Sequence, residues 1–350
     1  MYDVAIIGLG PAGATLARLL SGNLKVAAID KKGKAEGGFQ KPCGGLLAPD
    51  AQKALARFQL TLPKKIIVDP QIFSVRTIDL DTKLTRYYQR FYVNIDRHKF
   101  DLWLREIIPQ DVDIYSDAEC CSIERMDVGF RVTYRKGGAE HSIEARYIVG
   151  ADGANSLVRK TFFPKKKMKS YVAVQQWFNA TDVTPFYSCV FDSKNTDCYS
   201  WSIFKDGYFI FGGAYPAKNC RQRFENQKQK LSEQGFHFGE PLKTEGCLVL
   251  RPASPTDFCC GGEDVFLIGE AAGFVSPSSL EGISSGINSA TCLSKVLVGG
   301  VKNPNSAYKR KTLHIRLKLA CKLLKCPFLF QPFLRKLVMK SRVDSIEIID

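Results

Sequence analysis

Three glycines among the first thirteen residues have the spacing and surroundings to hold a phosphate. Gly8-Leu-Gly10-Pro-Ala-Gly13 directly follows the β-branched run Asp3-Val-Ala-Ile-Ile7 and leads into the helical run 14–20. In that strand, turn and helix order, a helix N-terminus offers unpaired N–H groups to an anion. Gly8 suits the tight turn, Gly10 a backbone approach to a pyrophosphate, and Gly13 close packing of helix on strand. A second strand, 24–29, ends in Asp30, seventeen residues past Gly13, where a carboxylate can accept hydrogen bonds from an adenosine ribose. By itself a G-x-G-x-x-G string is also an ordinary glycine-rich turn. The strand before it, the helix after it and the acid in register make it a dinucleotide site, for NAD or FAD alike.

The elements that must position such a site recur later in the chain. Arg146-Tyr-Ile-Val-Gly150-Ala-Asp152-Gly153-Ala-Asn-Ser156 is an apolar strand entering an acidic glycine turn. Val265-Phe-Leu-Ile-Gly269-Glu270-Ala-Ala-Gly273 has the same form and is followed by Pro277 and by Glu281-Gly282-Ile283 at the head of another helical run. Taken singly, Asp152-Gly153 reads as a turn, and Arg97, in Asn94-Ile-Asp-Arg97-His-Lys-Phe-Asp101, as a surface or helix-heading cation. Between the two acidic turns the chain becomes aromatic and strand-like at 171–178, 186–191, 199–204 and 208–214. Tyr199-Ser-Trp201-Ser-Ile203 alternates with a period of two and Lys205-Asp206-Gly207 supplies a turn, which predicts a hairpin within an antiparallel sheet.

In this order and spacing the motifs resemble the geranylgeranyl reductase family, within the larger class of flavoproteins built like para-hydroxybenzoate hydroxylase, over residues 1 to about 300. The resemblance implies an α/β fold, α+β overall: a Rossmann-type FAD-binding domain (1–68, 96–170 and 255–300), an antiparallel-sheet substrate domain (69–95 and 171–254) and a basic C-terminal helical arm (301–350). It implies FAD as the cofactor. Gly8, Gly10, Ala12 and Gly13 would serve the pyrophosphate, with Asp30 and Lys31 at the adenosine ribose. Arg97 would head a helix beside the flavin, and Asp152 and Gly153 would lie near both FAD and a docking nicotinamide nucleotide. Gly269, Glu270 and Gly273 would reach the ribityl chain and phosphates, with Gly282 and Ile283 among the cofactor contacts. Two departures stand out: Glu270 where the family usually has Asp, which keeps the charge and adds a methylene, and Leu280 where it usually has Gly, which puts a bulky side chain near the flavin ring.

Two further strings resemble the same family. Lys41-Pro42-Cys43-Gly44-Gly45 is similar to the Cys-Gly-Gly segment of archaeal members that abuts the isoalloxazine, so Cys43, Gly44 and Gly45 join the flavin contacts and Cys43 the proton donors. The other reading of a free cysteine is an inert small hydrophobe. Tyr199-Ser-Trp201-Ser-Ile-Phe-Lys205 is similar to the tyrosine, tryptophan and lysine pattern lining the family's lipid pocket, with Ile203-Phe204 in place of the usual Phe-Pro. Tyr199, Trp201 and Lys205 therefore stand with Cys43 as catalytic candidates, while an aromatic cross-strand ladder fits the same residues. The implied activity is reduction of carbon-carbon double bonds of an isoprenoid or prenyl lipid by hydride from reduced flavin, re-reduced by NAD(P)H or another donor. An FAD-dependent monooxygenase hydroxylating an aromatic or lipid substrate uses the same scaffold, and fold likeness does not separate the two.

Composition bounds these readings. A chain of 350 residues, 45% hydrophobic and 11% aromatic, excludes a disordered tail, a disulfide mini-protein and a fibre. The net charge of +15 raises nucleic acid as a partner, but no recognition motif accompanies it and its distribution is uneven. Residues 283–343 hold thirteen Lys or Arg and no acid, so the body is nearly balanced. In that segment Leu313, Leu317, Ala320 and Leu324 fall on one helical face and Lys311, Lys318, Lys322 and Lys325 on another. Pro327 then interrupts, and a second apolar stretch carries Arg335, Lys336 and Lys340. A basic amphipathic helix suits an anionic membrane surface; packing on the body with a solvated charged face suits it equally. The twelve cysteines include two adjacent pairs, follow no disulfide framework and offer no metal-ligand spacing. With no charged n-region ahead of the first apolar run, they read as reduced thiols of a cytoplasmic protein that holds no metal and docks, if at all, on the membrane's cytoplasmic face. The longest uncharged stretch, 4–17, has fourteen residues with three glycines and a proline, short of the roughly 20 that span a bilayer.

Overall fold

The computed structural model describes residues 1–33, 41–180 and 186–349. The chain divides into two compact units: Met1–Gln40, Phe100–Lys169 and Leu250–Leu323 form the first, and Lys41–Lys99, Ser170–Val249 and Leu324–Asp350 the second.

The first unit is a Rossmann-type α/β fold. Strand Tyr2–Ile7 is buried on both faces from Val4 onward, which is why its sequence is a continuous apolar run rather than an alternation. It pairs in parallel with Val26–Asp30 on one side and Ala139–Gly150 on the other, and these extend, again in parallel, to Asp113–Ser116 and Val265–Leu267. An antiparallel ribbon, Ala118–Arg125 with Phe130–Lys136, attaches to the long strand Ala139–Gly150. Helix Pro11–Leu20 connects the first two strands; its proline sits in the first turn, where a missing N–H costs no intrahelical bond. It packs against helix Ile283–Val298.

The second unit is an eight-stranded sheet in the order 243–250, 170–179, 208–215, 200–205, 186–191, 74–79, 84–89 and 345–346. From 170–179 across to 345–346 the neighbouring strands pair antiparallel, except Phe186–Phe191 and Ser74–Asp79, which run in parallel. The hairpin predicted around Lys205 forms between Ser200–Lys205 and Tyr208–Tyr215. Asp206 and Gly207, at φ 46° and 85°, supply the two left-handed residues that match a tight turn to the strand twist. Because successive side chains alternate across a strand, Ser200, Ser202 and Phe204 share one face, and Tyr199, Trp201, Ile203 and Lys205 the other. Phe204 joins Phe178, Phe209, Phe211, Tyr215 and Phe224 in an aromatic core with helix Cys220–Ser232.

The structure departs from the sequence expectations at three places. Residues 41–68 belong to the second unit, because Leu46–Leu47 pairs with Val93–Asn94 rather than with the nucleotide fold. The C-terminal helices expected from sequence are present, but 301–350 is divided between the units: Tyr308 donates its hydroxyl to the Leu267 carbonyl of the first unit's sheet at 2.9 Å, while strand Ser345–Ile346 joins the edge of the second sheet. Pro327 does not interrupt, since helix Leu313–Phe330 runs through it. A proline in the last turn forfeits a single backbone bond, and the chain breaks instead at Gln331, before helix Pro332–Ser341.

Arg335, read from sequence as one cation of a basic face, is buried, 3% exposed. Its Nη2 lies 2.7 Å from Asp79 Oδ1 and 2.7 Å from Asp81 Oδ2, and its guanidinium stacks over Phe191. Burial opposes ionisation of the fully buried Asp79, but hydrogen bonds from Arg335 and Thr82 outweigh it and hold the carboxyl below its ordinary value. A depressed carboxylate pKa stabilises the fold above the unfolded value and ceases to do so as pH falls through the folded one. We therefore expect the second unit to loosen below about pH 4. Arg335→Ala, which leaves Asp79 charged and unpaired, should cost about 3–5 kcal/mol, read as a lower urea midpoint at neutral pH; an unchanged midpoint would refute the ion pair's role.

Candidate functional site

Within the first unit, three turns lie at one edge of the parallel sheet, each following the carboxyl end of a strand. The ladder sets Ile7 beside Gly150 and Gly150 beside Leu267, and the following residues are tied in steps: Gly8 N–H to the Ile29 carbonyl at 2.8 Å, Ala151 N–H to Ile7 at 2.8 Å, and Ile268 N–H to Gly150 at 3.0 Å. This is the crevice in which open α/β sheets bind ligands. Gly8 has φ +95°, and a Cβ on it would stand 2.7 Å from the Ala151 carbonyl oxygen and 2.9 Å from Asp152 Cα. Only glycine allows that approach. Gly13 lies against the Gly8 carbonyl and Ala151, Ala12 against Gly269 and Gly286, and a Cβ on Gly10 would meet nothing within 4 Å.

The acids of the site have distinct surroundings. Asp30, 5% exposed, accepts from the Leu9 N–H at 2.5 Å and the Lys32 N–H at 2.7 Å. It braces the glycine turn, and each of its oxygens keeps a second lone pair for a ribose hydroxyl. Lys31 beside it is exposed. Asp152 Oδ2 accepts from Leu157 N–H at 2.7 Å and Val158 N–H at 3.3 Å, capping the short helix Leu157–Phe162. Its Oδ1 is buried without a hydrogen-bond donor, and burial pushes its carboxyl upward against the bonds from Ser156 and the backbone. A hydroxyl or N–H brought to Oδ1 would relieve that cost. Glu270 accepts from the Leu250 N–H at 3.0 Å, and its Oε2 lies 3.8 Å from where a Gly153 Cβ would stand. Its carboxylate is thereby tied to the Leu250 backbone. Gly269 and Gly273 bound this last turn, Gly282 caps helix Ile283–Val298, and Ile283 is buried at its start.

Leu280 adopts φ +52°, a region where a branched side chain is strained. Its N–H bonds the Ser276 carbonyl at 2.9 Å, and the Ser276 N–H bonds Glu281 at 2.8 Å. The backbone here keeps a conformation suited to glycine although the residue is leucine.

The second unit gathers the remaining candidates, Arg97 apart, around one loop. Lys205, 5% exposed, donates to Asn94 Oδ1 at 2.6 Å, the Ile95 carbonyl at 2.6 Å and the Gly45 carbonyl at 3.3 Å. Three acceptors engage all three of its N–H groups. Burial lowers its pKa to about 8, against the opposing influence of Cys43, Asp96 and Asp206. Gly45, at φ +62°, lies so close that a Cβ would stand 2.6 Å from the ammonium nitrogen, and Gly44 packs on Trp201 and Tyr187. Trp201 donates its indole N–H to Gln175 Oε1 at 3.3 Å and meets Tyr199 edge-on. Burial raises both Tyr199 and Tyr187 well above the usual phenol value. Cys43, half-buried, accepts weakly from the Gly45 N–H at 3.4 Å. Arg97 opens helix Arg97–Glu106 behind Asp96, whose carboxylate caps it at the N–H groups of His98 and Lys99.

Sequence reasoning missed Asn94, Gln175 and Tyr187. A polar Gln175 within an apolar strand was the one available signal; Asn94 carries none, because the Lys205 ammonium and the Pro70 and Phe204 carbonyls that its side chain meets are distant in sequence. Lys205, a catalytic candidate from sequence, donates to the Gly45 and Ile95 carbonyls and so holds the backbone of the Cys43 loop.

The strand-turn-helix crevice, with an orphaned acceptor at Asp152 and a backbone cradle at Gly8, fits a dinucleotide, and a family model described as an FAD binding domain matches residues 91–230. The fold is one shared with solved flavin-dependent proteins. More narrowly, the chain belongs to the family of Protein CbrA. It is 54% identical over 346 residues to Protein CbrA of Escherichia coli (strain K12), covering 99% of this chain and 98% of that one, and matches Protein CbrA of Shigella sonnei (strain Ss046) to the same extent. Among solved structures it is similar in fold to a geranylgeranyl bacteriochlorophyll reductase-like protein from Thermoplasma acidophilum (TM-score 0.82, 19% identity, 98% and 91% of the chains covered). It is also similar to PqsL, a probable FAD-dependent monooxygenase from Pseudomonas aeruginosa (TM-score 0.70, 16% identity, 97% and 99% covered).

Substitutions at two positions probe this geometry. Gly8→Ala forces a side chain into the Ala151–Asp152 peptide at a φ that disfavours it, a strain on the order of 1–3 kcal/mol; purified protein should carry little flavin by absorbance, and full flavin content would contradict the cradle. At Leu280, glycine should be tolerated within about 1 kcal/mol, whereas β-branched valine should lose about 1–2 kcal/mol in thermal unfolding.

Proposed function

We propose that this chain is an FAD-dependent oxidoreductase that reduces carbon-carbon double bonds of an isoprenoid or prenyl lipid. The observation that carries the reading is the packing of Cys43-Gly44-Gly45 against Trp201 and Lys205 in the second unit; similarity to a geranylgeranyl bacteriochlorophyll reductase-like fold supports it. Gly8, Gly10, Ala12 and Gly13 are assigned to the pyrophosphate, Asp30 with Lys31 to the adenosine ribose, and Asp152, Gly153 and the turn from Gly269 to Gly273 to the remainder of the cofactor, with Arg97, Gly282 and Ile283 as further contacts. FAD, when bound and reduced by NAD(P)H or another donor, supplies hydride to one alkene carbon.

The chain's own residues supply the rest. The second carbon needs a proton, which the Cys43 thiol gives, its S–H bond breaking as a C–H bond forms; half-exposure lets the thiolate recover a proton from water. The Lys205 ammonium, which Cys43 influences electrostatically, offsets the charge left on sulfur. It also keeps the Gly44–Gly45 backbone in place through its bond to the Gly45 carbonyl. Tyr199 and Tyr187, held neutral by burial, and Trp201 give that loop an aromatic, water-poor wall suited to a hydrocarbon chain rather than an ionic substrate.

Flavin-loaded protein reduced with dithionite should add two hydrogens per double bond to prenyl lipids in a mass spectrum. Cys43→Ser should slow turnover by about 10²-fold or more with flavin content intact, and the rate should fall as pH rises through about 8, where Lys205 loses its charge. Absence of any mass gain, together with substrate-dependent oxygen uptake on NAD(P)H, would replace the reductase by a monooxygenase hydroxylating an aromatic or lipid substrate, the activity class to which the PqsL likeness points.

A further inference from the structure

Helix Leu313–Phe330 has two apolar faces. Ile315 and Leu319 are buried, yet Leu313, Leu317, Leu324 and Phe328 are 49%, 56%, 74% and 52% exposed, with half-buried Ala320 in line between them. At about 100° per residue these five fall within an arc of about 80°. Globular helices normally turn such a stripe inward, and a contiguous exposed apolar strip marks an interaction surface. Exposed Lys318 and Lys325 flank the strip along one edge. Helix Pro332–Ser341 repeats the pattern on its own scale: Arg335 and Met339 are buried, while Phe333 and Leu337 are exposed beside Lys336 and Lys340.

Leu313, the first residue of the strip, also lines an open recess of about 490 Å³ whose other walls are Asn303, Ser306, Lys309, Arg310 and Arg316. Three cations and two small polar side chains meet there without an acid. Arg316 Nε within it is buried with no hydrogen-bond acceptor. Such a recess suits the oxygens of a phosphate group.

We propose that this face docks on an anionic lipid bilayer, with Leu317, Leu324 and Phe328 entering the acyl boundary and the basic recess holding a lipid phosphate. Charge selects this occupant over a second copy of the chain: exposed Lys318, Lys325, Lys336 and Lys340 lie beside the apolar residues and Lys309, Arg310 and Arg316 line the recess, so two such faces would repel. Among the described residues no helix is long and apolar enough to cross a membrane, so the helix lies along the surface, as amphipathic basic helices do. The docking does not rest on the proposed reaction, since vesicle binding is read without turnover.

The test is flotation of the full, flavin-loaded chain with vesicles of phosphatidylcholine alone or mixed with phosphatidylglycerol. Binding should require the anionic lipid and weaken with salt. Leu317→Glu with Leu324→Glu, both at exposed positions, should lower partitioning at least ten-fold with an unchanged circular dichroism spectrum, and so should the triple change of Lys309, Arg310 and Arg316 to Gln. Inorganic phosphate at matched ionic strength should leave binding unchanged. The proposal is overturned by wild-type chain that ignores anionic vesicles, by Glu variants that float equally well, by displacement with inorganic phosphate, which would assign the recess to a soluble anion, or by a sedimenting dimer that the Glu changes dissolve.

Discussion

The approach of Gly8 to the Ala151–Asp152 peptide is the constraint on which the nucleotide fold depends. It requires Tyr2–Ile7 and Ala139–Gly150 to be adjacent, parallel and in the register that sets Ile7 beside Gly150. Once that register holds, the turn after each strand emerges at one level, and Val265–Leu267 brings the third turn alongside. Ala12 then closes on Gly269 and Gly286, so helix Pro11–Leu20 is fixed at the end that offers its N–H groups. Bulk at this junction would move a strand, a helix and an acidic turn together, because close-packed interiors transmit small displacements.

The second unit is organised by a different device. A buried ammonium is costly unless every donor is used, and Lys205 meets that condition with Asn94, Ile95 and Gly45. The strand pair Leu46–Leu47 and Val93–Asn94 lies beside these acceptors, so one cation ties two distant chain segments to the hairpin that carries Trp201. Residues 41–68 thus lie in the second unit and not in the nucleotide fold that the family resemblance implied. The same side chain, its pKa lowered to about 8 by burial, also bonds the Gly45 carbonyl of the Cys43 loop.

Charge in the C-terminal segment is put to two uses that composition cannot distinguish. Arg335 is spent internally, between Asp79 and Asp81, and joins the last helix to the second sheet. Lys318, Lys325, Lys336 and Lys340 remain at the surface beside exposed leucines and phenylalanines. The difference follows from which helical face meets two carboxylates, and those lie more than 250 residues earlier in the chain.

The sequence by itself determined the local chemistry: a glycine turn between a doubly buried strand and a helix, acids following two further strands, a hairpin closed by Asp206-Gly207, and an amphipathic C-terminal helix. Each is legible because its cause is short-range, whether steric freedom at one φ, the period of a strand or helix, or the spacing of an acid from a turn. Tertiary structure alone decided which of these meet. No local signal shows that Glu270 bonds the Leu250 backbone, that Lys205 saturates itself on Asn94, Ile95 and Gly45, or that Arg335 is buried while its neighbours are exposed. Leu280 lies between the two. Its departure from glycine was visible in the sequence, but its left-handed backbone was not, because closure of the turn by Ser276 and Glu281 imposes that conformation against the residue's own preference.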